Sequence, residues 1–167
     1  MTSNLLRLSE EVSLALHAMV LLAGHPGQRF CNSEIAALLG ASEHTVAKVM
    51  QRLAKERLVE SVRGPHGGFS LAKSPEAVTL SDIYEAIDGP IGVPSCLLGK
   101  PVCSGQGCLL AGLVQSVHQQ VKDYLVKTSL ARLSPNVHLG NPASPDLLQC
   151  ECSGSPTTES ADRRESQ

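Results

Sequence analysis

Between Asn32 and Leu71 the hydrophobic pattern of the chain changes character, and this change restricts the fold more than any other feature. Ile35, Ala36 and Leu38 recur at helical spacing behind Asn32 or Ser33, either of which can cap a short helix, and the run stops near Gly40. Ser42 can cap a second helix, in which Val46, Val49, Met50 and Leu53 follow at three- and four-residue steps. Leu58 to Arg63 then has strand character, Gly64-Pro65-His66-Gly67-Gly68 makes a sharp reversal, and Phe69-Ser70-Leu71 alternates again. Two short helices joined by a tight glycine-containing turn form a helix-turn-helix unit. The hairpin behind it is its wing. An ordinary helical pair is the alternative for the first part, and the wing argues against it.

The flanks fit a mainly α fold with a small β-hairpin. Residues 9–24 form a first helix, with Ser9 as cap and Glu10 and Glu11 in its first turn. Thr79 caps another, with Leu80, Ile83 and Ile87 on a related face. Leu109 to Val126 carries a stripe of Leu110, Leu113, Val114, Val117, Val121, Tyr124 and Leu125. This helix is longer than a small wing-bearing domain needs for its own core, so it reads as a dimerisation helix. The expected division is a winged helix-turn-helix domain over 1–89, a cysteine-rich loop over 90–108, the dimerisation helix and a short terminal helix over 109–134, and a disordered tail over 135–167.

No apolar run is long enough to span a membrane, and the first residues, MTSNLLRLSEE, lack the order of a signal peptide. The expectation is a cytoplasmic protein whose six cysteines stay reduced. Three of them, Cys96, Cys103 and Cys108, crowd into CLLGKPVCSGQGC, spaced C-x6-C-x4-C in a loop whose residues 90–107 include four glycines and three prolines. Thiolates are soft ligands, so spacing alone admits an iron–sulfur cluster, zinc, bare redox thiols or no role. Cys108 opens the long helix, whose dipole favours a thiolate. Cys31 reads as a small buried residue, and the Cys150/Cys152 pair as incidental.

The net charge of -2 conceals an asymmetry: residues 1–134 hold 12 Lys/Arg against 11 Asp/Glu, and 135–167 hold 2 against 5. The basic residues Lys48, Arg52, Lys55, Arg57 and Arg63 gather around the second helix and the wing, a mild patch that would need dimerisation and specific docking to hold DNA. With Val46, Met50 and Leu53 inward, that helix displays His44, Lys48, Gln51 and Lys55, flanked by Thr45 and Arg52. Ser42, Glu43 and His44 stand at its N-terminus, the end that usually enters the major groove. Lys48 and Arg52 can touch bases or hold phosphates, and Arg63 and His66 offer contacts from the wing. The candidate DNA-binding set is therefore Ser42, His44, Thr45, Lys48, Gln51, Arg52, Arg63 and His66.

RLSEEVSLALHAMVLLA, LVESVRGPHGGFSLAKSPEAVTLSDIYEAIDGP, the cysteine loop and the helix ending in KTSLARL together resemble one bacterial regulator family over residues 5–134. It is the family that includes the iron–sulfur cluster assembly regulator and the nitric-oxide-sensing repressor. The resemblance implies a homodimer on double-stranded DNA and a 2Fe–2S or 4Fe–4S cluster held by Cys96, Cys103 and Cys108. The fourth ligand is where the chain departs: the family's histidine position holds Ala111, and an aspartate position on the first helix holds Ser13. A third family pattern places a histidine at His17, which becomes the implied fourth ligand, with Glu10 or Glu11 next.

The reading is a dimeric, DNA-binding transcriptional regulator sensing redox state, iron–sulfur status or nitric oxide through its cluster. Two rivals are a cluster-free regulator sensing redox or thiol metabolites through the cysteines, and an interaction protein that binds no DNA. An enzyme is not expected, because no phosphate loop, nucleophile triad or paired acids are visible.

Overall fold

The structure, a computed structural model, describes residues 8–64, 67–92 and 110–133. Its elements in chain order are α1 (Glu10–Gly24), α2 (Asn32–Leu39), α3 (Glu43–Lys55), β1 (Val59–Val62), β2 (Gly68–Leu71), a 3-10 turn (Pro75–Ala77), α4 (Leu80–Asp88), α5 (Ala111–Lys127) and α6 (Leu130–Leu133). This is the mainly helical architecture with one antiparallel hairpin and a long C-terminal helix that the patterning implies. His66, the three loop cysteines, Cys150, Cys152 and the 135–167 tail lie outside the described residues.

α1 is the central helix. Ser9 caps it, its hydroxyl accepting the Val12 N–H at 3.1 Å, and Glu10 and Glu11 occupy the positive end of the helix dipole. Nine of its residues, from Val12 to Ala23, are buried. They face α2, α3, α4, α6 and β2 around the helix, which is why its apolar positions do not fall on a narrow stripe.

α2 differs from expectation at its start. The N-cap is Cys31 rather than Asn32 or Ser33. Glu34, three residues on, accepts the Cys31 N–H at 2.7 Å, and the Ile35 N–H donates to the Cys31 carbonyl at 3.1 Å. The carboxylate thus settles the boundary one residue earlier than the amide candidate suggests and two earlier than the hydroxyl candidate. Cys31 is buried, as its setting beside Phe30 implies.

The wing pairs Val59 with Leu71 through Val62 with Gly68. Phe30 adds a bridge to Phe69, with N–H···O bonds of 3.1 and 2.9 Å in the two directions. The hairpin is therefore stitched to the segment between α1 and α2 and does not depend on two strands alone. At the other end of the domain, Leu80 N–H donates to Thr128 O at 3.0 Å and Leu130 N–H to Val78 O at 2.9 Å. These bonds clamp the α5–α6 junction to the start of α4. Phe30, Met19, Leu21, Ile35, Met50, Leu53, Ile83 and Leu130 form the most deeply buried part of the shared core.

Candidate nucleic-acid interface and sensing elements

α3 has two chemically opposite sides. Val46, Val49, Met50 and Leu53 are buried, and the α2–α3 and α1–α3 contacts fix the helix through them. Ser42, Glu43, His44, Lys48, Gln51 and Lys55 are exposed, with Thr45 and Arg52 half-buried. The structure therefore brings six of the eight expected DNA contacts together at one helix, and Arg63 is exposed at the end of the wing strand. Ser42 is a cap as well as a candidate contact. Its hydroxyl accepts the Thr45 N–H at 3.1 Å and lies 2.8 Å from the Thr45 hydroxyl. The first turn of α3 is thereby ordered.

A pair of contacts escaped sequence reasoning. Glu11 of α1 accepts from Lys48 Nζ at 2.8 Å through Oε1 and from Arg52 Nη1 at 2.7 Å through Oε2. Arg52 Nη1 also donates to the Ile87 carbonyl at 3.2 Å. The Lys48 hydrogen bond, reinforced by the Arg52 and Lys48 charges, holds the Glu11 carboxyl below the ordinary carboxylate range. Ser9, beside it, donates to Asp88 Oδ1 at 3.1 Å. The start of α1 thus ties the recognition helix to the last turn of α4, from which the cysteine loop departs.

His17 is exposed on α1, and its Nδ1 lies 2.7 Å from the Ser13 carbonyl. It lines an open cavity of about 520 Å³ with Glu10, Ser13, Leu39 to Ser42 and Thr45. The cavity therefore touches both α1 and the turn that leads into α3. A proton on Nδ1 given to the carbonyl leaves Nε2 with its lone pair, the usual state of a ligating histidine. Among the described residues no group of three or more His, Cys, Asp or Glu could hold a metal ion. Ala111 is the first residue of α5.

α5 is also two-sided. Val114 and Leu125 are buried and Val121 packs against the core, while Leu110, Leu113, Tyr124 and Val126 are about half exposed or more, at 48%, 52%, 60% and 48%. No helix of the described residues is long and apolar enough to cross a membrane.

An exposed polar recognition helix, a glycine-tipped wing and a long helix with an uncovered apolar side define a winged helix-turn-helix transcriptional regulator. The sequence profile of Rrf2, described as an iron-dependent transcriptional regulator, matches residues 8–136; the chain belongs to this family. An HTH-type transcriptional regulator of Aquifex aeolicus is 34% identical over 128 residues, covering 75% of this chain and 89% of its own length. The HTH-type transcriptional regulator IscR of Erwinia tasmaniensis is 32% identical over 134 residues, covering 78% and 80%. The structure of CymR, the global cysteine regulator of B. subtilis, superposes with a TM-score of 0.67 at 28% identity, covering 79% of this chain and 98% of that one. The protein is a regulator and not an enzyme, and its fold and α5 support a homodimer on DNA.

Proposed function

We propose that this protein is a dimeric transcriptional regulator whose affinity for its operator responds to the redox or thiol state of Cys96, Cys103 and Cys108. Residues 1–89 read DNA, 90–108 receive the signal and 109–134 join two copies. The observation that carries the DNA reading is the two-sidedness of α3, buried through Val46, Val49, Met50 and Leu53 and open through Ser42, His44, Lys48 and Gln51. Its N-terminal residues face base edges in the major groove, while Arg63 and His66 reach phosphates from the wing. A second copy joined through α5 presents a second α3, matching a two-fold operator.

The sensing chemistry has two forms. In the first, the thiols act without a metal: an oxidant takes two electrons, two thiols lose their protons and a disulfide forms. The likeness to the cysteine regulator CymR supports this form, as does Ala111 at the position where the family's cluster-binding histidine would stand. In the second, the three thiols hold an iron–sulfur cluster, which supplies one-electron redox chemistry and a target for nitric oxide. The 32% identical IscR relative and the Nε2 that His17 leaves open support it.

Anaerobic purification with iron and acid-labile sulfide quantitation separates the two forms. Duplex binding is then measured by anisotropy before and after diamide and dithiothreitol. Metal-free protein with a reversible affinity change, lost in C103S, is the expected result. Stoichiometric iron and sulfide would establish the cluster form, and an H17A variant with unchanged iron-site Mössbauer spectra would remove His17 from it. Salt-independent or absent duplex binding would overturn the function itself.

A further inference from the structure

Lys48 and Arg52 look equivalent in the sequence, two cations one helical turn apart on a recognition helix. The structure separates them. Arg52 is half-buried, and its Nη1 spans Glu11 Oε2 at 2.7 Å and the Ile87 carbonyl at 3.2 Å, joining three helices. Among the described residues Lys48 has one bond, to Glu11 Oε1 at 2.8 Å, with 52% of its side chain exposed against 27% for Glu11. Ion pairs this open to solvent are weak and exchange readily. A phosphate can therefore take Lys48 from Glu11, whereas displacing Arg52 would also break its bond to the Ile87 carbonyl of α4.

We propose that Glu11 is a built-in competitor of DNA phosphate that sets absolute affinity: it occupies Lys48 in the free protein and repels the backbone when Lys48 is taken. This inference rests on the DNA-binding reading of α3. Every duplex presents phosphate, whatever its sequence, so the competition weakens binding everywhere by the same factor. Base-edge contacts from the N-terminal turn of α3 are untouched by it and must carry a larger share of the affinity. The chain's basic patch is mild, and Glu11 makes it milder still at the one position nearest the middle of the helix. A factor common to every duplex lowers absolute affinity and leaves the ratio of specific to non-specific binding unchanged. Arg52 is assigned a different role. It is a positioning residue that holds α3 against α1 and the root of the cysteine loop, and it is removed from the set of DNA contacts.

The test uses the full chain and a fluorescein-labelled duplex of mixed sequence, titrated by anisotropy across a potassium chloride series. E11Q keeps the shape of the side chain and removes its charge. It is expected to bind about 3- to 10-fold tighter than wild type, with a salt slope steeper by about 0.9 for each freed lysine. The gain is expected to vanish in a K48M background, which a double-mutant cycle reads directly. If E11Q melts below the assay temperature, E11D, whose shorter reach loosens the pair while keeping the charge, is expected to give a smaller gain in the same cycle. Equal or weaker binding by E11Q, or a gain that persists in K48M, overturns the inference while leaving the DNA reading intact. Wild-type protein that binds duplex with no salt dependence overturns both.

Discussion

Arg57 closes α3 in the left-handed region, with φ at 56, alone in this among the described non-glycine residues. The Leu58 N–H donates to the Leu53 carbonyl and the Arg57 N–H to the Ala54 carbonyl, both at 3.0 Å. That is the hydrogen-bond pattern of a helix end where glycine is the usual residue. Replacing Arg57 by glycine is expected to stabilise the fold by about 0.5–1 kcal/mol in urea melts, since relieved strain exceeds the entropy that glycine adds to the unfolded chain. Glu11 makes a second residue-scale prediction. Its folded carboxyl titrates below the ordinary range, chiefly through the Lys48 hydrogen bond. The stability it contributes is therefore complete above the unfolded carboxyl's range and lost as pH falls through the depressed folded value. Wild type and E11Q are expected to differ in melting temperature at neutral pH and to converge on acidification. A difference that stays constant to strongly acid pH would show that the charge is not what matters. Neither partner of Glu11 was legible in the sequence, because they stand 37 and 41 residues away and a charge run carries no sign of what it faces.

At the scale of elements the sequence was more informative, for a physical reason. α3 and α4 each bury one side, so their apolar residues recur at helical steps, and Val46, Val49, Met50, Leu53, Leu80, Ile83 and Ile87 are all buried as that spacing implies. The caps Ser9, Ser42 and Thr79 were equally readable, being local hydrogen-bonding devices. Where the outcome turned on a competing local bond, as with Glu34 and Cys31, residue type alone pointed one or two positions too late. The wing's glycines are an element-scale requirement. A Cβ on Gly67 would collide with the Val62 carbonyl oxygen, and one on Gly68, at φ 146, would lie 2.8 Å from the Phe30 carbonyl oxygen. Both obstacles are backbone, which cannot swing aside. G68A is expected to cost about 1–3 kcal/mol and to weaken duplex binding by disturbing the hairpin, measured by thermal melts and anisotropy on the same samples. A G68A protein with unaltered stability would mean that the Phe30–Phe69 bridge is dispensable.

For the whole molecule, the unresolved demand is the outer side of α5. The clamp from Thr128 to Leu80 and from Leu130 to Val78 fixes one end of this helix to the domain, and Val114, Val121 and Leu125 turn inward along it. Leu110, Leu113 and Tyr124 follow at helical spacing on the adjoining strip of the helix and remain exposed. A stripe of that kind is stable in water when a second apolar surface covers it. The sequence showed the stripe but could not divide it, since the same periodicity serves both the chain's own core and a partner. A two-fold interface places each residue in it twice, so a single charge introduced there is felt on both sides of the axis. L113E is expected to convert dimer to monomer in sedimentation equilibrium while leaving the helical circular dichroism of the domain unchanged, because Leu113 is 52% exposed in the single chain. Duplex affinity should fall steeply with it, as a lone α3 on a mild basic patch retains only half of the operator contacts. A dimeric L113E protein would place the two-fold contact elsewhere and separate the long helix from dimerisation. A monomer that still bound duplex as tightly as wild type would instead separate dimerisation from DNA reading.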